Sequence, residues 1–491
     1  MTNVKIRTRY APSPTGLFHI GGARTALFNY LFAKHYRGDF IVRIENTDTN
    51  RNIENGIQSQ LENLKWLNIF ADESPINPGS FGPYQQSEKL DIYRCFAKQL
   101  IDKGLAYYCF CDVDTLEQIR DNALVSNKTP KYDQRCLHLS PDTIKKRLDE
   151  KWPFSIRIRI PEDQKFTWND LVRGEITIPS SSMSDIVIIK SNGVATYNFA
   201  VVIDDIQMKI THVLRGEEHI TNTAYQLYIG SCIDEFSKIK YGHLSMITDS
   251  SGKKLSKRHG QVECFVETYR NLGYLPDAIV NFLLMLGWSP SDGKREIFNV
   301  CEVVDQFDIK NLNAAPSVFD LNKLKWINHE YIKRMSDSSY VSFVETFLEN
   351  KLLGNVEKKE ATLLLFKKQI LYASQINDLL KQFFPKVITP TQVKKIINNI
   401  NISLSDVQNL LKKFLKNLHE IKTWSPTSVT NFIRILQEES GLSRKNFFQP
   451  LRAVLTANDH GPELAGLIYV MGQARCSELV NSFLTSETTE V

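Results

Sequence analysis

The chain has 491 residues, which at roughly 150 per domain leaves room for about three cores and excludes a single small module. Its residues are 42% hydrophobic, 23% charged and 10% aromatic, an ordinary globular usage that excludes a disordered, collagenous or coiled-coil chain. The formal charge of +5, from 60 Lys and Arg against 55 Asp and Glu, names no polyanionic partner unless it is concentrated locally.

The opening stretch MTNVKIRTRYAPSPTG lacks the basic start, apolar core and cleavage site of a signal peptide, and no segment reaches 18 uninterrupted apolar residues, so a cytoplasmic protein with no membrane partner is expected. Val4 to Arg9 reads as a strand, Pro12 to Gly16 as a turn, Ala23 to Ala33 as a helix and Phe40 to Ile44 as a second strand. Such a unit predicts an α/β domain with a parallel sheet, whose ligands sit at the carboxyl ends of the strands, here Arg9 to Gly22. From about Tyr107 to Lys190 the pattern is irregular, with short β-like runs at Phe154 to Ile160 and Ile186 to Ile189, and reads as an insertion. Sheet is expected to resume at Tyr197 to Ile203 and Ile210 to Leu214. After about Trp326 amphipathic helices dominate, among them Leu363 to Leu380 and Val407 to Leu418.

Two stretches carry phosphate chemistry. Arg9-Tyr-Ala-Pro-Ser-Pro-Thr-Gly16-Leu-Phe-His19-Ile-Gly21-Gly22 places a stiff turn and two glycines before a helix, where exposed amides and the positive helix end favour phosphate. Asp249-Ser-Ser-Gly252-Lys253-Lys254-Leu-Ser256-Lys257-Arg258 concentrates four cations in six positions, suited to a transferring phosphoryl group and departing pyrophosphate. Either alone is equally a turn or a solvated basic loop. A third cluster, Cys109-x-Cys111, 24 intervening residues, then Cys136-x-His138, is a complete tetrahedral set for structural zinc. The other cysteines show no ligand spacing. Finally, residues 351 to 422 hold 13 Lys against five Asp and Glu, a surplus of eight that exceeds the charge of the whole chain. It suits phosphate contact, and also the general Lys bias that a stretch rich in Ile, Asn and Leu carries in a Lys-biased proteome.

Together these words resemble class I aminoacyl-tRNA synthetases, whose paired signatures HIGH and KMSKS stand here as His19-Ile-Gly-Gly22 and Lys254-Leu-Ser-Lys-Arg258. Within the class, RYAPSPTGLFHIGGARTALFNYLFA, FIVRIENTD, ATYNFAVVIDD, THVLRGEEHITNT and GYLPDAIVNFLLMLGWSP are similar to the bacterial-type glutamyl-tRNA synthetase family, over most of the chain. The resemblance implies a Rossmann-type α/β parallel-sheet catalytic domain in two halves (1–106 and 191–245), an inserted α+β acceptor-binding domain with the zinc site (107–190), a KLSKR loop and stem-contact segment (246–325) and an all-α anticodon-binding region (326–491).

It further implies that L-glutamate and ATP form glutamyl adenylate with release of pyrophosphate, and that the 3' terminal adenosine of tRNA(Glu) then accepts the glutamyl group. Charging of tRNA(Gln) as well stays open as an alternative. The closest rival, the glutaminyl-tRNA synthetase family, carries PPEPNG where this chain has APSPTG; from a different class, a noncatalytic RNA-binding homologue is a rival that the presence of His19, Lys254 and Lys257 opposes. The resemblance assigns catalysis to His19, Lys254 and Lys257, and the ATP site to His19, Gly21, Gly22, Lys254, Ser256 and Lys257, working with Mg2+. Arg9, Ala11, Ser13, Glu45, Tyr197 and Arg215 would line the glutamate pocket, with Arg9, Tyr197 and Arg215 at the side-chain carboxylate and Glu45 at the ammonium. Val201 stands where some relatives place a polar asparagine, and Gly461 where many have threonine. Cys109, Cys111, Cys136 and His138 match the spacing of the family's zinc-bearing members, and Arg452, Pro462 and Leu464 its anticodon-reading segment; the family default is a monomer.

Overall fold

The computed structural model describes residues 4–47, 52–233, 239–255, 264–290, 293, 295–349, 358–385, 387–400 and 402–488. Strand β1 (Arg7–Tyr10) leads through helix α1 (Ile20–His35) to strand β2 (Asp39–Val42), and the strands pair in parallel from Arg7 with Asp39 to Tyr10 with Val42. Parallel pairing needs a crossover, and α1 supplies it. The strand His212–Gly216 runs parallel to Lys240–Leu244, and Thr211 N donates to Arg7 O at 2.9 Å beside β1. The chain leaves this layer in between. Ala106–Cys109, Ser155–Ile158 and Val187–Ile189 form an antiparallel sheet, and Lys165–Asp170 with Gly174–Pro179 form a hairpin. The α/β fold interrupted by an α+β insertion is thus as expected.

The expected strand at Tyr197 to Ile203 is instead the start of a helix, Tyr197–Gln207. Every residue from Phe199 to Ile206 is buried, and a helix buried on all sides shows a continuous apolar run that periodicity cannot separate from a strand.

Two compact units divide the chain, residues 1–268 with 279–321 and residues 269–278 with 322–491. The second unit is helical. In Leu404–His419 the residues Val407, Leu410, Leu411, Phe414 and Leu418 form the buried stripe, with the Ser403 side chain capping Asp406 N. The expected helix Leu363 to Leu380 is broken into Lys359–Leu364, a single turn at Ala373–Gln375 and Ile376–Phe383. Between the pieces Gln375 Oε1 takes Leu371 N at 2.7 Å and Asn328 donates to Leu371 O at 2.6 Å, so side chains satisfy the backbone where a helix ladder would have done so.

Candidate active site and metal centre

At the carboxyl ends of β1 and of His212–Gly216, against the N-terminus of α1, lies a cavity of about 280 Å³. Arg9, Ala11, His19, Gly21, Gly22, Glu45, Tyr197, Arg215 and Lys254 line it, drawn from segments as far apart as β1 and the loop after Ile247–Thr248. Ser13 does not; it is exposed, and its carbonyl closes a tight turn by accepting from Thr15 N at 2.8 Å. Ser256 and Lys257 lie outside the described residues.

His19 is the cap residue of α1, and its Nδ1 accepts the Gly21 amide at 3.0 Å. In the neutral ring the proton then resides on Nε2, which makes that atom a donor. The family signature's second histidine has no room here. A Cβ built on Gly22 would lie 2.6 Å from Tyr10 Oη, which is itself held by Gln60 Oε1 at 3.0 Å. Lys254 Nζ rests 3.3 Å from Glu218, both side chains being about half exposed, a contact weak enough to be exchanged for a phosphate.

The end of the cavity lined by Arg9 and Glu45 is backed by buried charge. Arg43 Nη1 reaches Asp205 at 2.7 Å, its Nη2 reaches Glu45 at 3.2 Å and its Nε lies 3.4 Å from Asp204. Asp205 also accepts from Arg9 at 3.3 Å, while Asp204 takes Lys89 at 2.6 Å, Tyr93 Oη at 2.9 Å and Gln86 at 2.9 Å. Arg9, Arg43 and Lys89 thus balance Glu45, Asp204 and Asp205. Burial pushes the Glu45 carboxyl above its ordinary pKa despite Arg43 and Arg9, so an incoming ammonium would relieve it. Burial also acts upward on Asp205, but Arg9 and Arg43 outweigh it and hold that carboxyl below the usual range.

Arg215 stands outside this balance. It is 5% exposed, and among the described residues its hydrogen bonds go to two hydroxyls, Thr223 Oγ1 at 2.7 Å and Tyr197 Oη at 3.3 Å. Among the described residues Nε has no hydrogen-bond partner and no carboxylate pairs with the guanidinium. A buried cation of this kind is complete only when an anion enters. His219, pulled to a pKa of about 4 by burial with Arg215 adding to the effect, is neutral beside it and holds Tyr197 Oη at 3.2 Å. Val201 does not face the cavity; it is 1% exposed within the apolar cluster around Phe199.

The sequence reading missed Asp204, Asp205, His219 and Thr223. The signal for the first two was present: adjacent carboxylates inside the apolar run Phe199 to Ile206 must be paired.

In the insertion the sulfurs of Cys109, Cys111 and Cys136 lie within 4.8 Å of one another, and Cys111 and Cys136 are 3.7 Å apart. Tetrahedral zinc with bonds of about 2.3 Å spaces its sulfurs by about 3.8 Å, so the set fits the metal. His138 is corrected: it is exposed and outside the cluster. The remaining corner is filled by Tyr132, whose hydroxyl is 3.4 Å from both Cys109 and Cys111 and accepts the Cys136 amide at 3.3 Å. The Cys136 thiol, with Tyr132 and Arg157, stabilises the Cys109 thiolate and draws its pKa far down. Arg157 lies 4.0 Å over the Tyr132 ring and holds it in place.

In the helical unit Arg452 Nη1 donates to Pro462 O at 2.5 Å, tying together two of the expected anticodon residues. Pro462 is buried and Leu464 is 2% exposed within the helical core, so the expectation of a direct base contact from the Leu464 side chain is corrected to a structural role. At Gly461 a Cβ would meet the Phe383 ring at 2.2 Å, so glycine is the residue that this packing accepts. Several lysines of the charged stretch are engaged within the unit, Lys367 with Asp337 at 2.7 Å and Lys381 with Glu349 at 3.1 Å.

A strand-end cavity under a capped helix terminus, with a cationic loop opposite, defines a class I nucleotide-activating fold. The family described as tRNA synthetases class I (E and Q), catalytic domain, matches residues 5–326, and the anticodon binding domain matches 320–480. The chain is 49% identical over 486 residues to a glutamate–tRNA ligase of Malacoplasma penetrans, covering 99% of each. It is 46% identical over 483 residues to that of Mycoplasma genitalium, covering 98% of this chain and 99% of the relative. A crystal structure of a glutamate tRNA ligase from Elizabethkingia meningosepticum in complex with its amino acid superposes with a TM-score of 0.88 at 33% identity, covering 98% and 99% of the two chains. The chain belongs to the class I tRNA synthetase family of the E and Q group.

Proposed function

We propose that this member is a glutamate–tRNA ligase that activates L-glutamate with ATP and charges tRNA(Glu). The observation that carries the substrate choice is Arg215, a buried guanidinium bonded only to hydroxyls among the described residues, beside a charge set already balanced. A side-chain carboxylate completes it. An amide would leave the cation unpaired, which is the strong kind of discrimination. Glu45 takes the ammonium.

In the first step an oxygen of the substrate α-carboxylate bonds to the α-phosphorus of ATP, and the bond to pyrophosphate breaks. His19 Nε2–H and the positive end of α1 hold the α-phosphate, and Lys254 leaves Glu218 to meet negative charge on the phosphates. Lys257 adds a second cation there. Magnesium arriving with ATP would supply further charge neutralisation. In the second step the terminal adenosine 2'-hydroxyl attacks the activated carbonyl and AMP leaves. Positioning and electrostatics carry both steps, so no general base is assigned.

Zinc on Cys109, Cys111, Cys136 and Tyr132 would cross-link the insertion that receives the acceptor end, a structural role. Arg452 and the backbone it holds at Pro462 would meet the anticodon. The enzyme would act as a cytoplasmic monomer, the state the family resemblance implies. Exchange of labelled pyrophosphate into ATP tests the activity: it should require glutamate and be promoted by tRNA(Glu), and its absence with both present would refute the reading. Charging assays on purified tRNA(Glu) and tRNA(Gln) decide the acceptor.

A further inference from the structure

Behind Arg215 runs a buried polar chain that the reaction scheme does not use. Asp170 and His243 have no side-chain exposure, and their Oδ2 and Nδ1 are 2.5 Å apart. His243 Nε2 is 2.9 Å from Thr223 Oγ1, and Thr223 Oγ1 accepts Arg215 Nη2 at 2.7 Å. Asp170 is otherwise saturated, its Oδ1 taking the amides of Val172 and Arg173 at 3.1 Å and of His243 at 3.0 Å, and its Oδ2 taking Trp168 Nε1 at 3.3 Å.

Proton counting orders this chain. A carboxylate only accepts, so His243 Nδ1 donates to it. Burial lowers the His243 pKa, with Arg215 and Arg173 adding to the effect against Asp170, which keeps the ring neutral and leaves Nε2 a lone pair. The Thr223 hydroxyl has one proton and two acceptors in reach, His243 Nε2 at 2.9 Å and His219 O at 3.1 Å. The ring nitrogen is nearer and has no other donor among the described residues. Thr223 therefore donates to His243 and turns its lone pairs to Arg215, and each bond in such a chain polarises the next. The Arg215 guanidinium also lies over the Tyr241 ring at 5.3 Å, which is stacked on His243.

We propose that Asp170, His243 and Thr223 are positioning residues for amino-acid selection, a proton-ordered chain that fixes the Arg215 guanidinium for the substrate's side-chain carboxylate. The proposal rests on the reading that Arg215 meets that carboxylate. Sequence separation hid it, since the members come from the hairpin, the helix after Gly216 and the strand Lys240–Leu244.

Thr223→Val keeps the shape and removes the hydroxyl, and Thr223→Ser restores it. In aminoacylation by the full chain, Thr223→Val should raise KM for glutamate about tenfold and lower the glutamate-over-glutamine ratio of kcat/KM by about as much. KM for ATP should stay within about twofold, and Thr223→Ser should recover glutamate KM to within about threefold of wild type. Equal losses in the valine and serine variants, or parallel rises in KM for glutamate and ATP, would overturn the proposal in favour of a packing role. His243→Gln should add nothing to glutamate KM in the Thr223→Val background; a multiplicative rise overturns the chain. Arg215→Met separates the two readings. If it leaves glutamate KM unchanged the Arg215 assignment fails, whereas a rise there without one in Thr223→Val removes the chain alone.

Discussion

Arg215→Met tests the site through two quantities that should move in opposite ways. The substitution removes a buried charge that has no carboxylate partner among the described residues, and it strands neither hydroxyl, because Thr223 keeps His243 and Tyr197 keeps His219. The free protein should therefore keep its melting temperature or gain slightly. The substrate complex loses a charge-assisted bond. Such bonds contribute about 1.5–3 kcal/mol, so kcat/KM for glutamate should fall by roughly 10- to 150-fold while that for glutamine changes little. Asp205→Asn is the contrasting perturbation. It takes a carboxylate from between Arg43 at 2.7 Å and Arg9 at 3.3 Å, and an uncompensated buried charge costs about 3–5 kcal/mol. Aminoacylation kinetics and thermal unfolding without amino acid give both readings on one preparation. Should Arg215→Met destabilise the free protein as much as Asp205→Asn does, or lower glutamate and glutamine kinetics together, the argument from an unpaired cation is wrong.

Elemental analysis of purified protein should show about one zinc per chain, lost in Cys111→Ser, weakened in Tyr132→Phe and retained in His138→Ala; loss in the last would restore His138 as a ligand. Gly22→Ala should destabilise by about 1–3 kcal/mol, because its Cβ falls 2.6 Å from Tyr10 Oη, and Tyr10→Phe should recover much of that in a double-mutant cycle. His212 has its pKa lowered from 6.5 to about 4 by burial, with Lys240 adding to the effect. The unfolded chain thus binds a proton that the folded chain refuses between those values. Stability from this group is complete above pH 6.5 and falls as pH drops toward 4, by up to about 3 kcal/mol, and His212→Gln should flatten that slope in denaturant titrations.

The layer β1, α1, β2 was legible because each element carries its own period and the turn between them its own residues. The paired signature words stood out for the same reason, as local chemistry in a local stretch. What failed were features that depend on the third dimension. Tyr197–Gln207 is a helix buried without a break from Phe199 to Ile206, so its residues carry no face to read. His138 has a ligand's spacing but an exposed position, whereas Tyr132 has no ligand motif and reaches the sulfurs because the turn at Cys136 folds back on its hydroxyl. Leu464 follows a recognisable word yet starts a helix whose side chains fill the core. The aspartate partners of Arg43 and Arg9 lie more than 160 residues away, and only the adjacency of two acids in an apolar run hinted that any were needed.

The charge set beneath the cavity is poorly explained by stability alone. Arg43, Asp204 and Asp205 are almost wholly buried, and three apolar side chains of similar volume would serve a core at least as well. Their value lies in direction. Asp205 holds Arg9 and Arg43 at fixed angles, Arg43 holds Glu45, and none of these groups can turn without leaving a charge unpaired. On the proposed reading, a zwitterion with a second carboxylate entering this cavity would meet Glu45 and Arg215 already oriented, so little reorganisation would remain to be done as it binds. On that reading the fold keeps a costly ionic layer where the substrate's own charges would be read, and leaves Arg215 without a carboxylate among the described residues so that the correct ligand would finish it.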